Sequence, residues 1–365
     1  MAVARRAVPR PTAGNMFDEI ASFPALLAAA ERAVRGKRER WDAAAFFGHL
    51  ERNLIRLTDQ LQAGAWTPGP YRVIWVREPK LRQISIAPFA DRVVHQAIHA
   101  VAGAHLARSY IGDTYASLKG RGQHRAICRY EHFRERYPYV LRADLWRYFP
   151  SIDHAILKAA LEKALPCART RALLARIIDG SNEQVRCDWL FAGDDLLTPL
   201  ERRRGLPLGN LTSQMLGNFF LDRFDHFVKE RLRVKGYVRY LDDFALFGRS
   251  PAELLTWRQQ GEDFLARRRL KLHPEKTRIE ACSAPTTFLG YVLLPGGRRR
   301  LSDANVSRAA ARIQAWRQAW RAGDGDEAAV RQSISGWLAH ARFAHSRGLR
   351  DKWFPRGWFA ERALA

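Results

Sequence analysis

Two short apolar runs that flank a pair of acids predict a β-hairpin at residues 238–248, whose sequence is VRYLDDFALFG. The aliphatic and aromatic runs on either side of Asp242 and Asp243 are short, as expected for strands. Another apolar run, residues 139–144, ends in the carboxylate of Asp144. The pattern therefore predicts neighbouring strands that carry acids at their ends.

Most of the remaining chain has sequence patterns that predict either a strand hairpin or an amphipathic helix. Residues 17–64 are predicted to form two helices separated by a charged linker at 35–40, with Asp42 as a helix cap. Residues 71–88 alternate like the two strands of a hairpin, and residues 270–282 are strand-like. Amphipathic spacing predicts further helices at 91–107, 252–270, 303–322 and 326–345, the last two with Trp316, Trp320 and Trp337 on their apolar sides.

The acids at the strand ends predict a divalent metal site. Because neighbouring side chains of a strand point to opposite faces, Asp242 and Asp243 cannot both enter one site equally, so a further carboxylate is needed. Asp144 can supply it, since Mg²⁺ in phosphate chemistry is usually held by one or two carboxylates with substrate phosphates and water. Two ions held about 4 Å apart would suit nucleotidyl transfer. The competing interpretation is a surface turn with solvated acids, which the flanking apolar residues disfavour.

The composition indicates a folded and strongly basic protein. The chain has 365 residues, 47% of them hydrophobic, which is enough for a large core and two or three subdomains. It carries 61 Lys and Arg against 37 Asp and Glu, giving a formal net charge of +24. The excess is grouped at 35–40, 202–204, 267–271 and 298–300. Nucleic acid is the predicted partner, and a solvated basic face is the alternative for each individual group.

The cysteines and the amino terminus bear on the cellular compartment. The four cysteines, Cys128, Cys167, Cys187 and Cys282, are far apart and predict neither a zinc site nor a disulfide framework. They favour a reduced cytoplasm. The first 15 residues are basic and lack the apolar stretch of a signal peptide, and no run is long enough to span a bilayer, so no membrane partner is predicted.

The order of these motifs resembles that of a reverse transcriptase. The chain presents in turn a basic hairpin, the strand ending in Asp144, the loop GLPLGNLTSQ, the YLDD hairpin, the segment around Lys276 and the turn FLGY. YLDD alone is a moderate signal, whereas the ordered set is strong. The resemblance implies an α+β right-hand polymerase with an antiparallel palm sheet, fingers and a C-terminal helical thumb. It further implies a basic tail with a helical extension at 1–64, fingers and palm at 65–285, and a thumb at 286–365.

The resemblance also implies a catalytic centre. By analogy Asp144 and Asp242 bind two Mg²⁺ ions, for which Mn²⁺ could substitute, and Asp243 is a third acid that ligates less directly. Lys276 resembles a lysine that protonates the leaving pyrophosphate. Phe149 stands where reverse transcriptases place a bulky residue that excludes the ribose 2′-hydroxyl and so favours dNTPs, with simple packing as the competing explanation.

Further substrate contacts are implied around this centre. Lys80 and Arg82 look like the fingers cations that hold the incoming triphosphate. The loop residues Leu208, Gly209 and Gln214 are expected beside the nucleotide. The four residues of the FLGY motif resemble the turn that grips the primer: Phe288, Leu289, Gly290 and Tyr291.

Departures from the family pattern indicate a subtype. Many relatives have Gln before the glycine and Pro after the serine of the loop, whereas this chain has Leu208 and Gln214 there. Together with residues 70–98, this looks like the reverse transcriptases of diversity-generating retroelements, which copy a template RNA with frequent errors opposite adenine. Because Leu208 cannot offer the hydrogen bond of Gln, base selection should relax. The implied partners are template RNA, a DNA or RNA primer, dNTPs and a basic accessory protein, in a bacterial or phage setting.

Other readings of the same motifs remain open. The chain is also similar to group II intron-like reverse transcriptases and to those of phage defence. A full intron protein is disfavoured, because little sequence follows the expected thumb and no Cys-rich nuclease segment is present. A non-catalytic RNA-binding relative would be expected to have lost its acids, yet Asp144, Asp242 and Asp243 are all retained.

Overall fold

The structure is a computed structural model that describes residues 16–77, 81–181, 189–323 and 326–354. Its α-helices are α1 Met16–Ile20, α2 Phe23–Val34, α3 Trp41–Gly48, α4 Leu50–Gln62, α5 Phe89–Ile98, α6 Ala104–Leu106, α7 Gln123–Arg134, α8 Tyr148–Ser151, α9 His154–Ala164, α10 Ala168–Asp179, α11 Thr198–Glu201, α12 Leu211–His226, α13 Pro251–Ala266, α14 Asp303–Arg321, α15 Glu327–Ala341 and α16 Arg347–Trp353. Short π-helical segments, His99–Gly103 and Phe227–Arg231, continue α5 and α12.

The strands form three antiparallel sheets. They are β1 Arg72–Arg77, β2 Leu81–Ile86, β3 Tyr139–Asp144, β4 Gly236–Tyr240, β5 Asp243–Gly248, β6 Arg278–Ala281, β7 Thr286–Phe288, β8 Tyr291–Leu293 and β9 Arg299–Leu301. A two-stranded hairpin is made by β1 and β2, the central sheet has the order β4-β5-β3-β6, and a three-stranded sheet has the order β7-β8-β9. The predicted α+β class with an antiparallel central sheet is confirmed.

The central sheet is covered on both faces, which explains the unbroken apolar runs in its strands. Leu141 and Phe244 belong to the larger core, which includes residues of α9, α12 and α13. Val140, Ala245 and Phe247 belong to a second core with α7 and the β7-β8-β9 sheet. Because alternate residues point to opposite faces, burial of both faces requires apolar residues at almost every position.

The amino-terminal region differs from its prediction. Residues 17–64 contain α1 to α4 rather than two helices. Asp42 does not cap a helix. It lies in the first turn of α3, whose N-cap is Arg40, and its carboxylate pairs with Arg92 of α5. Its other oxygen, Oδ1, accepts from the Ala43 N–H at 2.9 Å, so the carboxylate binds both a neighbouring helix and a backbone donor of its own first turn.

Two predictions for the second half of the chain need correction. The strand-like segment 270–282 is extended only at Arg278–Ala281, because the residues before it form a turn. Trp316 packs against the small core of Val330 and Ile334, but Trp320 is 37% exposed and does not lie on an apolar side. The predicted hairpin at 71–88 and the helices at 303–322 and 326–345 are confirmed within a few residues.

Two further observations concern the state of the cysteines and the length and polarity of the helices in the described residues. Cys128, Cys167 and Cys282 are free thiols, and Cys187 lies outside the described residues, as does the basic tail at 1–15. Within the described ranges no helix is both long and apolar enough to cross a membrane.

A fully buried ion pair connects α12 to the YLDD hairpin. The Arg239 guanidinium donates from Nε to Asp225 Oδ1 at 2.7 Å and from Nη2 to Asp225 Oδ2 at 2.5 Å, and both side chains are 0% exposed. Tyr237 and Thr114 each donate a hydroxyl to the same carboxylate at 2.7 Å. Burial alone would lower the pKa of Arg239, but Asp225 outweighs it and holds that pKa above its ordinary value.

The same guanidinium fixes the hairpin turn. Arg239 Nη1 donates to the Leu241 carbonyl oxygen at 3.0 Å and to Asn218 Oδ1 at 3.1 Å. Leu241 has a left-handed backbone with φ of 57°, which is uncommon for a bulky residue and requires support from its surroundings. Arg239 therefore links the core of α12 to the residue that immediately precedes Asp242.

Replacing Arg239 by methionine should lower the free energy of unfolding by about 3–5 kcal/mol, because Asp225 would be left as an uncompensated buried charge. Urea denaturation followed by circular dichroism measures the change. Arg52→Met is the matched control, because Arg52 is exposed on α4 and should change stability by no more than about 0.5 kcal/mol. Equal effects of the two substitutions would contradict a structural role for the pair.

Candidate active site

Three carboxylates lie at one corner of the central sheet. Asp144 is the last residue of β3 and is paired in register with Asp243, the first residue of β5. Asp242 lies in the turn between β4 and β5, and its carbonyl oxygen accepts from the Leu145 N–H at 3.3 Å. The strand partner of Asp144 is therefore Asp243, while Asp242 reaches the same corner from the turn.

The electrostatics of these acids distinguish Asp242 from Asp243. Burial, and then the Asp144 carboxylate, raises the pKa of Asp242 to about 6. Burial raises the pKa of Asp243 to about 7. The charge of Arg142 opposes this rise, and the smaller effects of the Asp144 and Asp242 carboxylates add to it. Asp242 is thus coupled most directly to Asp144, whereas Asp243 is influenced first by a cation on β3.

Two cations act on this cluster of acids. Lys276 Nζ contacts Asp144 Oδ2 as an ion pair, with the lysine side chain 45% exposed and the aspartate 19%. Arg82 on β2 lowers the pKa of Asp242 through its charge, which places the hairpin arginine on the side of the acids. Lys80, the other predicted fingers cation, lies outside the described residues.

The loop before α12 is docked onto β2. The Ser85 N–H donates to the Leu208 carbonyl oxygen at 2.8 Å. Gly209 has φ of 110°, and a Cβ at this position would lie 3.0 Å from Ile84 Cγ2 and 3.0 Å from the Ser85 carbonyl oxygen. Only glycine allows so close an approach at this φ, so the loop and the hairpin are held together by backbone contacts.

Phe149 and Gln214 both lie at the first turns of α12. The Phe149 ring approaches Gly217, where a Cβ would lie 3.1 Å from Cε1, and packs edge-on against Tyr148 with ring centroids 5.3 Å apart. Gln214 is exposed, and its Oε1 accepts from the Ser117 hydroxyl at 3.1 Å. Their predicted roles toward sugar and nucleotide remain predictions.

The side chains of the FLGY turn divide between the core and the surface. Phe288 and Tyr291 are 1% and 0% exposed, so any contact of these two residues with a primer would be made by the backbone of the turn. Phe288 stacks on Tyr130 with ring centroids 4.6 Å apart, since alternation along β7 and β8 points both rings into the second core. Leu289 and Gly290, at the tip, are still predicted to meet the primer.

Two residues of the site escaped the sequence reasoning. Arg142 influences Asp243, and Arg239 supports the turn before Asp242. Each is a single arginine inside an otherwise apolar strand, and a charge in a buried strand has to be paired. A search of the predicted strands for single charged residues would therefore have identified both arginines.

The acids fit a divalent metal ion by their chemistry but do not form a complete cage. Among the described residues no three Asp, Glu, His or Cys side chains are arranged as a metal-binding cluster. Hard oxygen donors suit Mg²⁺, which keeps several waters and substrate phosphates as ligands and needs only one or two carboxylates. The raised pKa values of Asp242 and Asp243 indicate a cluster whose negative charge a cation would stabilise.

Comparison with known proteins identifies the family. The family model described as "Reverse transcriptase (RNA-dependent DNA polymerase)" matches residues 76–293, which is more than half of the chain. The chain belongs to the reverse transcriptase family. It is therefore an RNA-directed DNA polymerase by class, and its fold is the right-hand polymerase fold with an antiparallel palm sheet.

Individual relatives are distant. Protein YkfC of Escherichia coli is 24% identical over 278 residues, covering 65% of this chain and 70% of that protein. The group II intron-encoded protein LtrA of Lactococcus lactis is 19% identical over 310 residues, covering 67% of this chain and 50% of LtrA. Apo telomerase from Candida tropicalis has a TM-score of 0.48 and 11% identity, covering 65% of this chain and 49% of the telomerase chain.

Substituting Gly209 by alanine should weaken the docking of the loop onto β2, because the new Cβ overlaps Ile84 and the Ser85 carbonyl. We expect a loss of about 2 kcal/mol or more in the free energy of unfolding, together with a raised KM for dNTPs. Gly122→Ala is the matched control, because Gly122 has φ of 114° but a Cβ there would meet nothing within 4 Å. If the two variants behave alike, backbone strain and not the close contact explains the glycine.

Proposed function

We propose that this protein copies an RNA template into cDNA, adding dNTPs to the 3′ end of a DNA or RNA primer with the help of two Mg²⁺ ions. The observation that carries the proposal is the meeting of Asp144, Asp242 and Asp243 at one corner of the palm sheet. Arg82 and Lys276 place positive charge beside the same corner. Acids for metal ions next to cations for phosphates are the combination that nucleotidyl transfer requires.

The side chains of the site would have different roles in binding metal ions and phosphates. Asp144 and Asp242 would hold the metal ions, and Asp243 would contribute negative charge from the side of Arg142. Bound Mg²⁺ would activate the primer 3′-hydroxyl and stabilise the leaving pyrophosphate, and Mn²⁺ could take its place. Arg82 would hold the triphosphate, with Lys80 as its predicted companion.

Lys276 would change partner during the reaction. Its ammonium contacts the Asp144 carboxylate that would ligate a metal ion. Because Asp144 would use that oxygen to hold a metal ion, Lys276 would have to release it and would then be free to contact the phosphates. From there it could donate its proton to the leaving pyrophosphate, in agreement with the role implied by the sequence.

Selection of sugar and base would depend on the residues around the start of α12. Phe149 would crowd the ribose 2′-hydroxyl and so favour dNTPs. The carbonyl oxygen of Leu208 is committed to Ser85, and its side chain carries no polar group, so the loop offers no side-chain hydrogen bond to the nascent pair. This supports relaxed fidelity, with errors at template adenines, in a diversity-generating retroelement that supplies a template RNA and a basic accessory protein.

A second candidate is an intron-related reverse transcriptase. The match to LtrA, whose name states that a group II intron encodes it, favours this reading. The two candidates predict different neighbouring DNA. Near-identical repeats that differ mainly at template adenines mark a diversity-generating element, whereas intron sequence around the gene would favour the second candidate.

Changing Asp144 or Asp242 to asparagine should lower primer extension on a defined RNA by at least about 100-fold, because each substitution removes a charged oxygen ligand. The assay uses Mg²⁺, four dNTPs and gel analysis of the product. Asp59→Asn, an exposed acid on α4, is the control and should extend normally. Full activity of the Asp242 variant would remove Asp242 from the mechanism.

Replacing Leu208 by glutamine should reduce misincorporation opposite template adenine, because the amide restores a hydrogen bond near the nascent pair. The expected reduction is about ten-fold, which corresponds to roughly 1.4 kcal/mol of discrimination. Sequencing of the cDNA gives the error spectrum. Leu208→Met retains the size and apolar character and should leave the spectrum unchanged; identical spectra for all three proteins would detach fidelity from this residue.

A further inference from the structure

A large groove lies on the helical side of the palm, away from the acids. Residues of α6, α9, α12, the π-helical segment Phe227–Arg231 and the end of α13 line it, and its volume is about 1120 Å³. Arg223 of α12 lies in this groove about 18 Å along the helix from Leu211, at 1.5 Å per residue. The helix thus starts beside the nucleotide loop and runs away from it to the groove, which places the groove outside the copying site.

The groove gathers cations that have no protein partner. Arg108, Lys163, Arg223 and Arg231 line it and are exposed, and within the described ranges none of their side chains makes a hydrogen bond or an ion pair. Arg134, by contrast, is buried and donates to three carbonyl oxygens. Four unpaired charges along one groove repel one another and would be stabilised by an anionic ligand.

The floor of the groove carries a hydrogen-bond acceptor that is not satisfied. Asp222 is 5% exposed, and its Oδ2 accepts from the Ser109 hydroxyl at 2.8 Å. Its other oxygen, Oδ1, is buried without a hydrogen bond and lies 3.7 Å from His226 Nε2. A buried carboxylate oxygen without a hydrogen bond is rare, so it indicates a donor that the protein itself does not supply.

Aromatic rings form part of the same surface. Phe227 and Phe264 are stacked with ring centroids 4.6 Å apart and an interplanar angle of 21°, and both are half-buried. The Arg268 guanidinium lies 5.8 Å from the Phe264 ring centroid, and its Nε is buried without a hydrogen bond. Flat apolar surface between cations is typical of sites that bind single-stranded nucleic acid.

We infer that this groove is a second RNA-binding site, which holds a single-stranded segment of RNA through its phosphates while the copying site acts elsewhere. The four cations would contact phosphates, and Asp222 Oδ1 would accept from a ribose 2′-hydroxyl or a base amino group. An acidic protein segment fits less well, because it has no bases to pack beside the stacked Phe227 and Phe264 rings that line the groove. The inference goes beyond the proposed copying reaction, since no residue of the groove belongs to the active site.

Binding of labelled polyuridylate to the full chain tests the inference. The copying site is first saturated with an unlabelled short primer–template duplex, so that the remaining binding reports other sites. The test variant is Arg108→Gln, Lys163→Gln, Arg223→Gln and Arg231→Gln combined. Its affinity should fall by at least about ten-fold, and the slope of log K against log salt should fall by about 3, at about 0.7 per lost phosphate contact.

The matched control removes the same charges elsewhere. Arg52→Gln, Arg56→Gln, Lys235→Gln and Arg249→Gln combined change three exposed arginines and one exposed lysine outside the groove. This control should bind polyuridylate like the wild type, and both variants should extend the short primer–template at the wild-type rate. Failure of the wild type to extend any primer would reject the proposed function and leave the binding measurement intact.

Three results would overturn the inference. Unchanged polyuridylate affinity and salt slope in the groove variant would show that these cations do not hold RNA. An equal loss in the control variant would show a general effect of net charge. Polyglutamate binding as tight as polyuridylate binding, lost in the groove variant, would show that the groove takes an acidic protein segment instead.

Discussion

The buried pair of Arg239 and Asp225 is the interaction on which the site geometry depends. A charge pair without solvent contact is stable only if nearly all of its hydrogen-bonding groups are satisfied, and here hydroxyls, an amide and a backbone carbonyl complete it. Since these partners come from α12, β4, the YLDD turn and the residues before α7, the pair fixes these segments relative to one another. The turn that carries Asp242 is thereby positioned by the core and not by its own short sequence.

A second constraint concerns charge in the basic chain. The net charge of +24 is carried mostly by the surface, whereas the partly buried corner of the palm holds three acids. Burial raises the pKa of Asp242 and Asp243, so the fold places these groups where their ionised form is disfavoured until positive charge arrives. Lys276 offers a single charge to Asp144. The three carboxylates at this corner are therefore only partly neutralised by the protein's own cations, which favours binding of a further cation.

Much of the palm could be predicted from the sequence, because its signals are local. Strands β3, β4 and β5 are apolar runs that end at acids, and their pairing follows from the hairpin and from the need to bury both faces. The position of Asp42 and the burial of Phe288 and Tyr291 could not be predicted, because each depends on a partner distant in the chain. Arg92 takes the carboxylate of Asp42, and Tyr130 receives the ring of Phe288.

The candidate site shows the same division between local and distant information. The motif order identified the three acids and the loop before α12, while spacing alone could not show that Asp144 pairs in register with Asp243 or that Lys276 contacts Asp144. Register and side-chain contact depend on how strands far apart in sequence are aligned. The unpaired cations of the groove were also missed, because they lie in the turn after α6, on α9 and on α12 with its π-helical continuation, and form no cluster in the sequence.

The buried Tyr291 has a mechanical consequence for the turn that precedes it. Its hydroxyl donates to the His340 carbonyl oxygen of α15 at 2.9 Å, and two residues earlier the Leu289 carbonyl oxygen accepts from the Gln123 side chain of α7. The tip at Gly290 is thus clamped between a helix of the polymerase body and a helix of the C-terminal module. A tilt of that module would be transmitted directly to the tip, so the position of Gly290 and the orientation of the last helices would change as one unit.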